Sequence, residues 1–439
     1  MIDQRFADMR SAGRGGLMVM RGDSGVGKST FLETVGLFRV GVQSVKAPMS
    51  ADIEEMLPAL GRSDGPRVIV VEGREALREE SQESLEVALH AINAFVRTEE
   101  GSDSLIVWPT NTDDLSERLL AIAAQLGGTA LLGPDQSVLK FDGPVRESFI
   151  RIAQSTVHAL NHGASFATLG LSEDEAEQLA RRATTIGEFI GMIRSTLLQK
   201  GAHVAQLMER ERCRVWTVVV GGEDTGAHVA AITRGNHGHI DMDRLLSATS
   251  GNVVRELQRY PDRIGTLGLS LDARILYLEP GTALAVARSH GQPELRALME
   301  AQGLAGTSRN LDRDRESLRS TGLAVLLAAN ALGNHGVRRV TARKVEEDFK
   351  SLVEIARTQD GHLNRALGAA IRAEGLVESF DAEAPFEGEL TLASDLRLIR
   401  AGEAIRIEMM WRPRATQAAI SDYVLRKLHN YGRSIGYLT

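Results

Sequence analysis

The N-terminal part of the chain alternates short apolar runs with amphipathic stretches. Strand-like apolar runs are predicted at Gly16–Met20, Val42–Val45, Val68–Val71, Leu105–Trp108 and Thr129–Leu132. The segments between them, such as Ser84–Val96 and Leu115–Gln125, repeat their apolar residues at helical spacing. Short strands separated by helices are typical of a mostly parallel sheet with helices on both faces. We therefore predict an α/β domain over residues 1–145.

Residues 146–212 have a helical pattern without strand-like runs. Ser172 followed three residues later by Glu175 is a capping box, and it predicts a helix over Ala176–Arg182. We expect this segment to form a helical lid after the α/β domain.

The rest of the chain mixes strand-like and helical patterns. Strands are predicted at Val215–Val220, His228–Ile232 and Arg274–Leu278. The charged segment Ser308–Ser320 is interpreted as a linker or a solvated surface helix. Helices are predicted around Gly322–Leu332 and Ala342–Ala356. We expect two α+β domains here, a middle one over residues 213–320 and a C-terminal one over residues 321–439.

Composition narrows the class of protein. Of 439 residues, 43% are hydrophobic and 25% are charged, as in ordinary globular domains. A net charge of −7 argues against a protein that coats nucleic acid through its overall charge, but it is compatible with a local basic groove. Cys213 is the single cysteine, which excludes an intrachain disulfide and a Cys-rich zinc site. Apolar runs fall short of the roughly 18 residues of a membrane span, and Met1–Arg14 is charged, so we expect a cytoplasmic protein without a membrane partner.

A glycine-rich loop after the first predicted strand has the spacing of a phosphate site. It fits G-x-x-x-x-G-K-[ST], and its residues are Gly22, Asp23, Ser24, Gly25, Val26, Gly27, Lys28, Ser29 and Thr30. Glycines let backbone N–H groups surround an anion, Lys28 supplies a positive charge to the β- and γ-phosphates, and Ser29 offers a hydroxyl to Mg²⁺. The loop lies between an apolar run and the helical pattern Phe31–Phe38, as the motif requires. We predict ATP and Mg²⁺ as the ligands.

Polar residues follow two other predicted strands. Glu72 comes directly after Val68–Val71 and is our candidate carboxylate for Mg²⁺. Asn111 follows Leu105–Trp108 and is our candidate for touching the γ-phosphate or orienting the attacking water, although Pro-Thr-Asn is also ordinary turn chemistry.

With these residues the chain resembles the AAA+ and related P-loop ATPases. The resemblance implies that Gly22–Thr30 is the Walker A loop, that Val68–Glu72 is the Walker B strand, and that Asn111 is the sensor-1 residue. It implies the fold class: α/β, with a parallel P-loop sheet and a helical lid, followed by two α+β domains. It also implies a homo-oligomer in which a neighbouring subunit supplies an arginine, for which the candidates are Arg74, Arg97, Arg146, Arg181 and Arg182.

The chain departs from the AAA+ pattern after the second of these strands. AAA+ proteins usually have Asp-Glu there, whereas this chain has Glu72 and Gly73. Glu75 is the alternative base, and the departure affects the residues for hydrolysis rather than those for ATP binding. The same residues are similar to those of uridine-kinase-like nucleoside kinases, which keeps a kinase interpretation open.

Two further clusters of polar residues each have a purely structural and a functional interpretation. His237 and His239 alternate, so that on one strand they would share a face and bind a metal, but a polar hairpin turn before a helix that starts at Asp241 is the favoured interpretation. Arg338–Lys344 is a basic patch beside Thr341, and it suits a solvated helix start better than a phosphate contact.

The C-terminal pattern of helix, three strands and helix is similar to the core of the PD-(D/E)xK nuclease fold. By that resemblance Asp395 and Glu408 are the candidate metal ligands. Met410 stands where the family has its lysine, and Lys427 on the following helix is the candidate replacement. An α+β domain without chemistry is the competing interpretation, and a domain that binds DNA without cutting it is a third.

These observations give one leading function and two alternatives. The leading one is an oligomeric AAA+-type ATPase that controls a nucleic-acid-directed activity, on DNA rather than RNA, with a protein partner encoded nearby. Bacterial defence or DNA mobility would suit that architecture. The alternatives are a small-molecule kinase of nucleoside type and an ATP-gated scaffold with little hydrolysis.

Overall fold

The structure is a computed structural model that describes most of the chain. The described residues are 2–75, 81–134, 138–209, 211–222, 224–250, 257, 259–305, 307–308, 310–329, 343–388 and 392–438. They divide into two compact units. Unit 1 consists of Met1–Ile150 and Leu179–Met192, and unit 2 consists of Arg151–Gln178 and Ile193–Thr439.

Unit 1 is built on a five-stranded parallel sheet. Its strands are β1 (Gly16–Arg21), β2 (Gln43–Ala47), β3 (Arg67–Val71), β4 (Ser104–Thr110) and β5 (Leu139–Lys140). The helices that follow or precede them are α1 (Ile2–Ala12), α2 (Lys28–Phe38), α3 (Ile53–Ala59), α4 (Gln82–Phe95), α5 (Asp113–Leu126) and α6 (Gly128–Leu132). The strand order is β2-β3-β4-β1-β5, and every neighbouring pair is parallel. The α/β prediction for this part of the chain is confirmed.

Strand alternation divides the core of unit 1 between the two faces of the sheet. Val68 and Val70 pack with Leu32 of α2 on one face, together with α1. Ile69 and Val71 pack on the other face with α3, α4, α5 and α6. Because successive side chains of a strand point to opposite faces, strands covered on both sides are apolar throughout, as the sequence of β3 is.

One predicted strand of unit 1 is wrong. Thr129–Leu132 lies within the short helix α6, and the fifth strand is Leu139–Lys140 instead. Leu131 and Leu132 are buried against the same face of the sheet as α5. A segment of four residues has too few positions to distinguish a strand from a helical turn, and packing decided this one.

Residues 146–212 are mainly helical. Their α-helices are α7 (Phe149–Leu160), α8 (Glu173–Arg182) and α9 (Ile186–Leu207). The capping box is present, because the Ser172 N–H donates to Glu175 Oε2 at 3.0 Å and the Glu175 N–H donates to Ser172 Oγ at 3.2 Å. Residues 179–192, which include the end of α8 and the start of α9, belong to unit 1.

Unit 2 is built on a seven-stranded mixed sheet. Its strands are β6 (Cys213–Val220), β7 (Thr233–Arg234), β8 (His239–Ile240), β9 (Arg274–Leu278), β10 (Ser379–Phe386), β11 (Leu392–Arg400) and β12 (Glu403–Trp411). Its further helices are α10 (Thr225–Ala231), α11 (Met242–Ala248), α12 (Pro261–Ser270), α13 (Pro280–His290), α14 (Pro293–Ala301), α15 (Leu311–Arg319), α16 (Gly322–Leu327), α17 (Arg343–Ala373) and α18 (Gln417–Ser434). The strand order is β10-β11-β12-β6-β9-β8-β7.

The boundary expected at residue 320 falls inside this sheet. β6, from the expected middle domain, pairs in parallel with β12 from the expected C-terminal domain, with Glu408 opposite Thr217. Residues on both sides of position 320 therefore share one sheet, which corrects the expectation of two separate α+β domains. Of the two interpretations of Ser308–Ser320, the surface helix is confirmed over the linker, because the segment contains α15, in which Leu318 is the buried residue.

A second predicted strand is also wrong. His228–Ile232 lies at the end of α10 rather than in a strand. Val229 and Ile232 are three residues apart and both are buried, which places them on one side of a helix. The neighbouring predictions are better, since Arg274–Leu278 matches β9. The strands predicted at Leu390–Ile399 and Ala404–Trp411 match β11 and β12 to within two residues, whereas the one predicted at Leu376–Phe380 overlaps only the first two residues of β10. None of the helices in the described part of the chain is long and apolar enough to cross a membrane.

Candidate functional site

The loop from Gly22 to Thr30 joins β1 to α2. Gly25 and Gly27 have φ angles of 82° and 98°, in the left-handed region that side chains with a Cβ rarely adopt. Gly27 directly precedes α2, so the loop ends at the N-terminus of an 11-residue helix. The first N–H groups of a helix have no partner within it, and they carry the positive end of the helix dipole. The loop and helix start are therefore suited to an anion.

The side chains of the loop differ in exposure. Val26 and Lys28 are buried, and Ser29 is half-buried. The residues with exposed positions are Asp23, Ser24, Gly25 and Thr30. Gly22 has no space for a side chain, because a Cβ there would come 2.4 Å from the Phe141 carbonyl oxygen and 3.2 Å from Lys28 Cδ.

Lys28 is buried at the carboxyl end of the sheet, with 6% of its surface exposed. Its ammonium group donates to the Gly22 carbonyl at 2.5 Å, to the Asp23 carbonyl at 3.0 Å and to Asn111 Oδ1 at 2.8 Å. Burial lowers the pKa of Lys28, and the negative charge of Glu75 opposes that change. The structure thus brings together Lys28 and Asn111, which the sequence analysis selected separately.

The position of this pair follows from the strand order. β1 and β4 are neighbours, and Asn111 directly follows β4. The chain leaves β1 toward β2 at one edge of the sheet, and it leaves β4 toward β5 at the other edge. Where connections leave adjacent parallel strands in opposite directions, a crevice opens at their carboxyl ends, and such crevices are the usual ligand sites of α/β sheets.

The segment after β3 lies against the end of β4. The Asn111 N–H donates to the Glu75 carbonyl at 2.9 Å. The Gly73 N–H donates to Glu75 Oε1 at 3.1 Å, which folds the Glu75 side chain back over its own turn. Because the Glu75 charge also acts on the pKa of Lys28, this carboxylate belongs to the surroundings of the lysine.

Glu72 belongs to a different set of charges. Its carboxylate forms an ion pair with Lys46 of β2 at 3.2 Å, and Lys46 also pairs with Glu33 of α2 at 2.6 Å. By strand alternation Glu72 points to the same face as Val68 and Val70, which is the face that α2 covers. Glu72 and Glu75 are therefore both candidates for the acidic role that the sequence analysis gave first to Glu72.

Three contacts of the loop and of the preceding residue Arg21 were not predicted from the sequence. The Gly187 N–H at the start of α9 donates to the Gly25 carbonyl at 2.8 Å, so the helical segment touches the loop itself. Arg21, at the end of β1, pairs with Asp23 at 2.8 Å and with Asp113 of α5 at 2.9 Å. No local pattern indicates the contacts of Gly25 with Gly187 and of Arg21 with Asp113, since each joins residues that are distant in the chain. The pair of Arg21 with Asp23 depends on how the chain turns after β1.

The C-terminal candidates form a buried charged network in unit 2. Lys427 of α18 forms an ion pair with the fully buried Glu408 of β12, and Tyr431 donates to Glu408 Oε1 at 2.8 Å. Asp395 Oδ2 accepts the Met409 N–H at 2.5 Å. Burial and the neighbouring Glu408 charge raise the pKa of Asp395 to about 7. Lys427 therefore does lie beside Glu408, as the nuclease resemblance requires.

The same contacts leave little room for a metal ion. Both Glu408 oxygens are engaged by Lys427 and Tyr431. Met409 and Met410 are buried on opposite faces of the sheet, Met409 in one core cluster and Met410 in the other. Across the described ranges, no three His, Cys, Asp or Glu side chains are grouped so that they could hold a metal. The donor set does not fit a Mg²⁺ site.

His237 and His239 have the arrangement of the favoured interpretation, a polar hairpin turn before a helix. β7 and β8 pair as an antiparallel hairpin, His237 lies in its turn, and Asp241 caps α11 by accepting the Arg244 N–H at 3.1 Å. The two rings are 6.0 Å apart and do not share the face of one strand. The basic patch lies mostly outside the described residues, apart from Arg343 and Lys344, which pair with acidic residues of their own helix α17.

Comparison with protein-family models and with curated proteins finds no match for this chain.

Proposed function

We propose that the chain is an ATP-binding protein of AAA+ type whose P-loop between β1 and α2 takes Mg·ATP. The observation that carries the proposal is the 2.8 Å hydrogen bond from Lys28 Nζ to Asn111 Oδ1. It joins the residue that would bind phosphate to a polar side chain on the neighbouring strand, in the crevice where the connections of the sheet diverge.

The residues present fit a nucleoside triphosphate. The N–H groups of the loop and of the first turn of α2 bind phosphate oxygens, and Lys28 adds a positive charge that burial has already separated from bulk water. Ser29, half-buried beside Lys28, offers its hydroxyl to Mg²⁺, and Glu72 or Glu75 supplies the acidic side chain. When bound, Mg²⁺ neutralises charge on the phosphate oxygens.

Hydrolysis is the proposed reaction. We assign Asn111 to orienting water or contacting the terminal phosphate, because its Oδ1 atom accepts a hydrogen bond from the ammonium group of Lys28. Glu75 is the better placed of the two acids to accept a proton, since its charge acts on Lys28 and its backbone contacts Asn111. Glu72, paired with Lys46, is the better candidate for the metal side.

The test is calorimetry with Mg·ATP on the full chain. Lys28→Ala should weaken ATP binding at least tenfold, which is about 1.4 kcal/mol. Asn111→Ala should weaken it less, because the phosphate charge keeps its lysine. Lys140→Ala is the matched control, since Lys140 is an exposed lysine of the same unit. Equal ATP affinity in wild type and Lys28→Ala would remove the basis of the proposal.

The wider role that we propose is control of a nucleic-acid-directed activity by an oligomer. It rests on the AAA+ resemblance alone, so its test is separate. Phosphate release is measured for the protein alone, with DNA and with RNA, while light scattering follows the mass. Self-association on ATP and stimulation by DNA support this role. A monomer that consumes ATP only with a hydroxylated small molecule is a kinase, and a stable ATP-bound oligomer without phosphate release is a scaffold.

A further inference from the structure

Unit 2 contains a cavity between the β7–β8 hairpin, the C-terminal end of α7 and the helix α12. Its volume is about 350 Å³. Sites for small molecules run from roughly 300 to 1,000 Å³, so the cavity has room for a small ligand. It is formed by residues that lie far from the loop of unit 1 in the sequence, and the proposed function does not use it.

One side of the cavity is apolar. Ile240, Met242 and Ala273 line it and are buried. Leu160 and Leu269 also line it, and they are 76% and 47% exposed. Large apolar side chains that stay exposed around a concavity favour a ligand with an apolar body that covers them.

The other side of the cavity is basic. Its basic lining residues are one arginine and three histidines: Arg234, His162, His237 and His239. Asp272 is an acidic residue of the lining, and its carboxylate is bound by the Arg274 guanidinium at 3.0–3.2 Å. Burial and Arg274 lower the pKa of His239, and its Nδ1 atom lies 3.4 Å from Asp272 Oδ1. Arg234 is therefore the group of the lining that stays positively charged, and the imidazoles add hydrogen-bond donors.

Arg234 is the central residue of the basic side. Its Nη1 atom is buried and has no hydrogen-bond partner among the residues that the structure describes. The carboxylates whose charges act on it are occupied: Asp241 holds Arg244, and Asp243 accepts from Ser165 and Thr168. A buried guanidinium nitrogen without an acceptor lowers the stability of the protein, and more so than a neutral donor, because it carries charge. An anionic ligand in the cavity would bring a compensating negative charge next to this guanidinium.

The backbone around the cavity holds two side chains in an uncommon conformation. His162 and Asp272 have φ angles of 53° and 42°, which few residues other than glycine adopt. The His162 ring consequently lies close to Gly235, with Cδ2 3.3 Å from the position that a Cβ of Gly235 would take. This contact brings the residues after α7 to the β7–β8 hairpin at Gly235, which follows Arg234 in the chain.

We propose that this cavity binds a phosphate monoester carried on an apolar or aromatic body. The planar guanidinium fork matches phosphate oxygens, and imidazole N–H groups add donors for an anion that carries close to two charges. A carboxylate has fewer acceptor sites and half the charge, so it satisfies fewer of these donors. The apolar side then holds the body of the ligand.

The test uses the full chain and calorimetric titration with phenyl phosphate, phenol and benzoate. Phenyl phosphate should bind, and phenol and benzoate should each bind at least tenfold more weakly. Arg234→Gln should weaken phenyl phosphate binding at least tenfold. Arg263→Gln is the matched control, because Arg263 is exposed on α12 and does not line the cavity. Lys28→Ala should leave binding unchanged, which separates this site from the P-loop.

Three outcomes would overturn the proposal. Phenyl phosphate that binds wild type more weakly than about 1 mM leaves no site. Binding lost in Lys28→Ala and kept in Arg234→Gln belongs to unit 1. Benzoate that binds as tightly as phenyl phosphate removes the phosphate assignment. If Arg234→Gln does not fold, as judged by circular dichroism, His237→Gln replaces it, since His237 is exposed in the turn and should weaken binding severalfold.

Discussion

Lys46 Nζ lies 3.2 Å from Glu72 Oε1, which ties the carboxylate at the end of β3 to a cation on the neighbouring strand β2. The same ammonium group pairs with Glu33 of α2. Both side chains are partly exposed to solvent, which screens the pair, so it contributes little to stability. Glu72 can therefore be changed with little effect on the fold, which makes it a clean probe of chemistry.

We expect Glu72→Gln and Glu75→Gln to affect ATP turnover differently. Loss of the metal-side acid should lower hydrolysis and raise the Mg²⁺ concentration needed for it, whereas loss of a proton acceptor should lower the rate by roughly 10²–10⁴-fold at any Mg²⁺ concentration. The proposed roles assign the first result to Glu72 and the second to Glu75. Phosphate release measured over a Mg²⁺ series separates them. Wild-type rates in both variants would mean that neither acid takes part in the reaction.

Gly187→Ala should weaken ATP binding at least threefold by displacing the loop. A Cβ at position 187 would come 2.8 Å from both Cα and the carbonyl oxygen of Gly25, and backbone atoms cannot move aside as a flexible side chain does. Gly191→Ala, four residues along the same helix, is the matched control, because a Cβ there meets nothing within 4 Å. The control should be neutral or slightly stabilising, by up to about 1 kcal/mol of helix propensity. Identical ATP affinities in the two variants would show that the contact with Gly25 does not shape the site.

We expect wild type to lose stability as the pH rises, and we expect the variant Asp395→Asn to abolish that loss. Burial, Glu408 and Asp360 raise the pKa of Asp395 from 3.8 to about 7, while Lys427 and the Met409 N–H act in the opposite direction. The native state therefore keeps a proton that the unfolded chain has lost, and the free energy of unfolding decreases between pH 3.8 and about 7. The asparagine carbonyl still accepts the Met409 N–H, so this hydrogen bond is kept. The free energy of unfolding of the variant, relative to wild type, should therefore rise by about 2–4 kcal/mol over this pH range.

The measurement is urea unfolding of both proteins near pH 5 and pH 8, taken as the difference between variant and wild type. Asp381→Asn on the adjacent strand β10 is the control, because Asp381 is 64% exposed. A difference that is the same at both pH values would mean that Asp395 titrates at its ordinary pKa.

Lys427→Met should destabilise the protein by about 3–5 kcal/mol, because it leaves the buried Glu408 carboxylate without its cation. The double variant Glu408→Gln/Lys427→Met should recover most of that loss, since it removes both charges together. Chemical unfolding measures both. Arg426→Met, at the neighbouring position of α18 in an exposed pair with Asp422, should stay within about 0.5 kcal/mol of wild type. A double variant no more stable than Lys427→Met would argue against the ion pair as the cause.

Much of the local structure could be predicted from the sequence, because it depends on residues that are close together in the chain. β3, β4 and β9 are apolar runs bounded by polar residues, and their positions were predicted to within a residue or two. The capping box at Ser172 is a pattern of four residues. The two wrong strands, Thr129–Leu132 and His228–Ile232, are short segments whose apolar residues suit a helical turn as well as a strand.

The tertiary structure decided which residues lie together in each site. Lys28 and Asn111 are 83 residues apart in the chain, and they meet because the strand order places β4 beside β1. Glu72 and Glu75 are three residues apart, and only the packing shows that one pairs with Lys46 while the other acts on Lys28. β6 and β12 come from opposite sides of an expected domain boundary and pair in one sheet. Local patterns set the type of each element, but hydrogen bonds between strands and the burial of their shared faces select the neighbours, and those depend on residues that are distant in sequence.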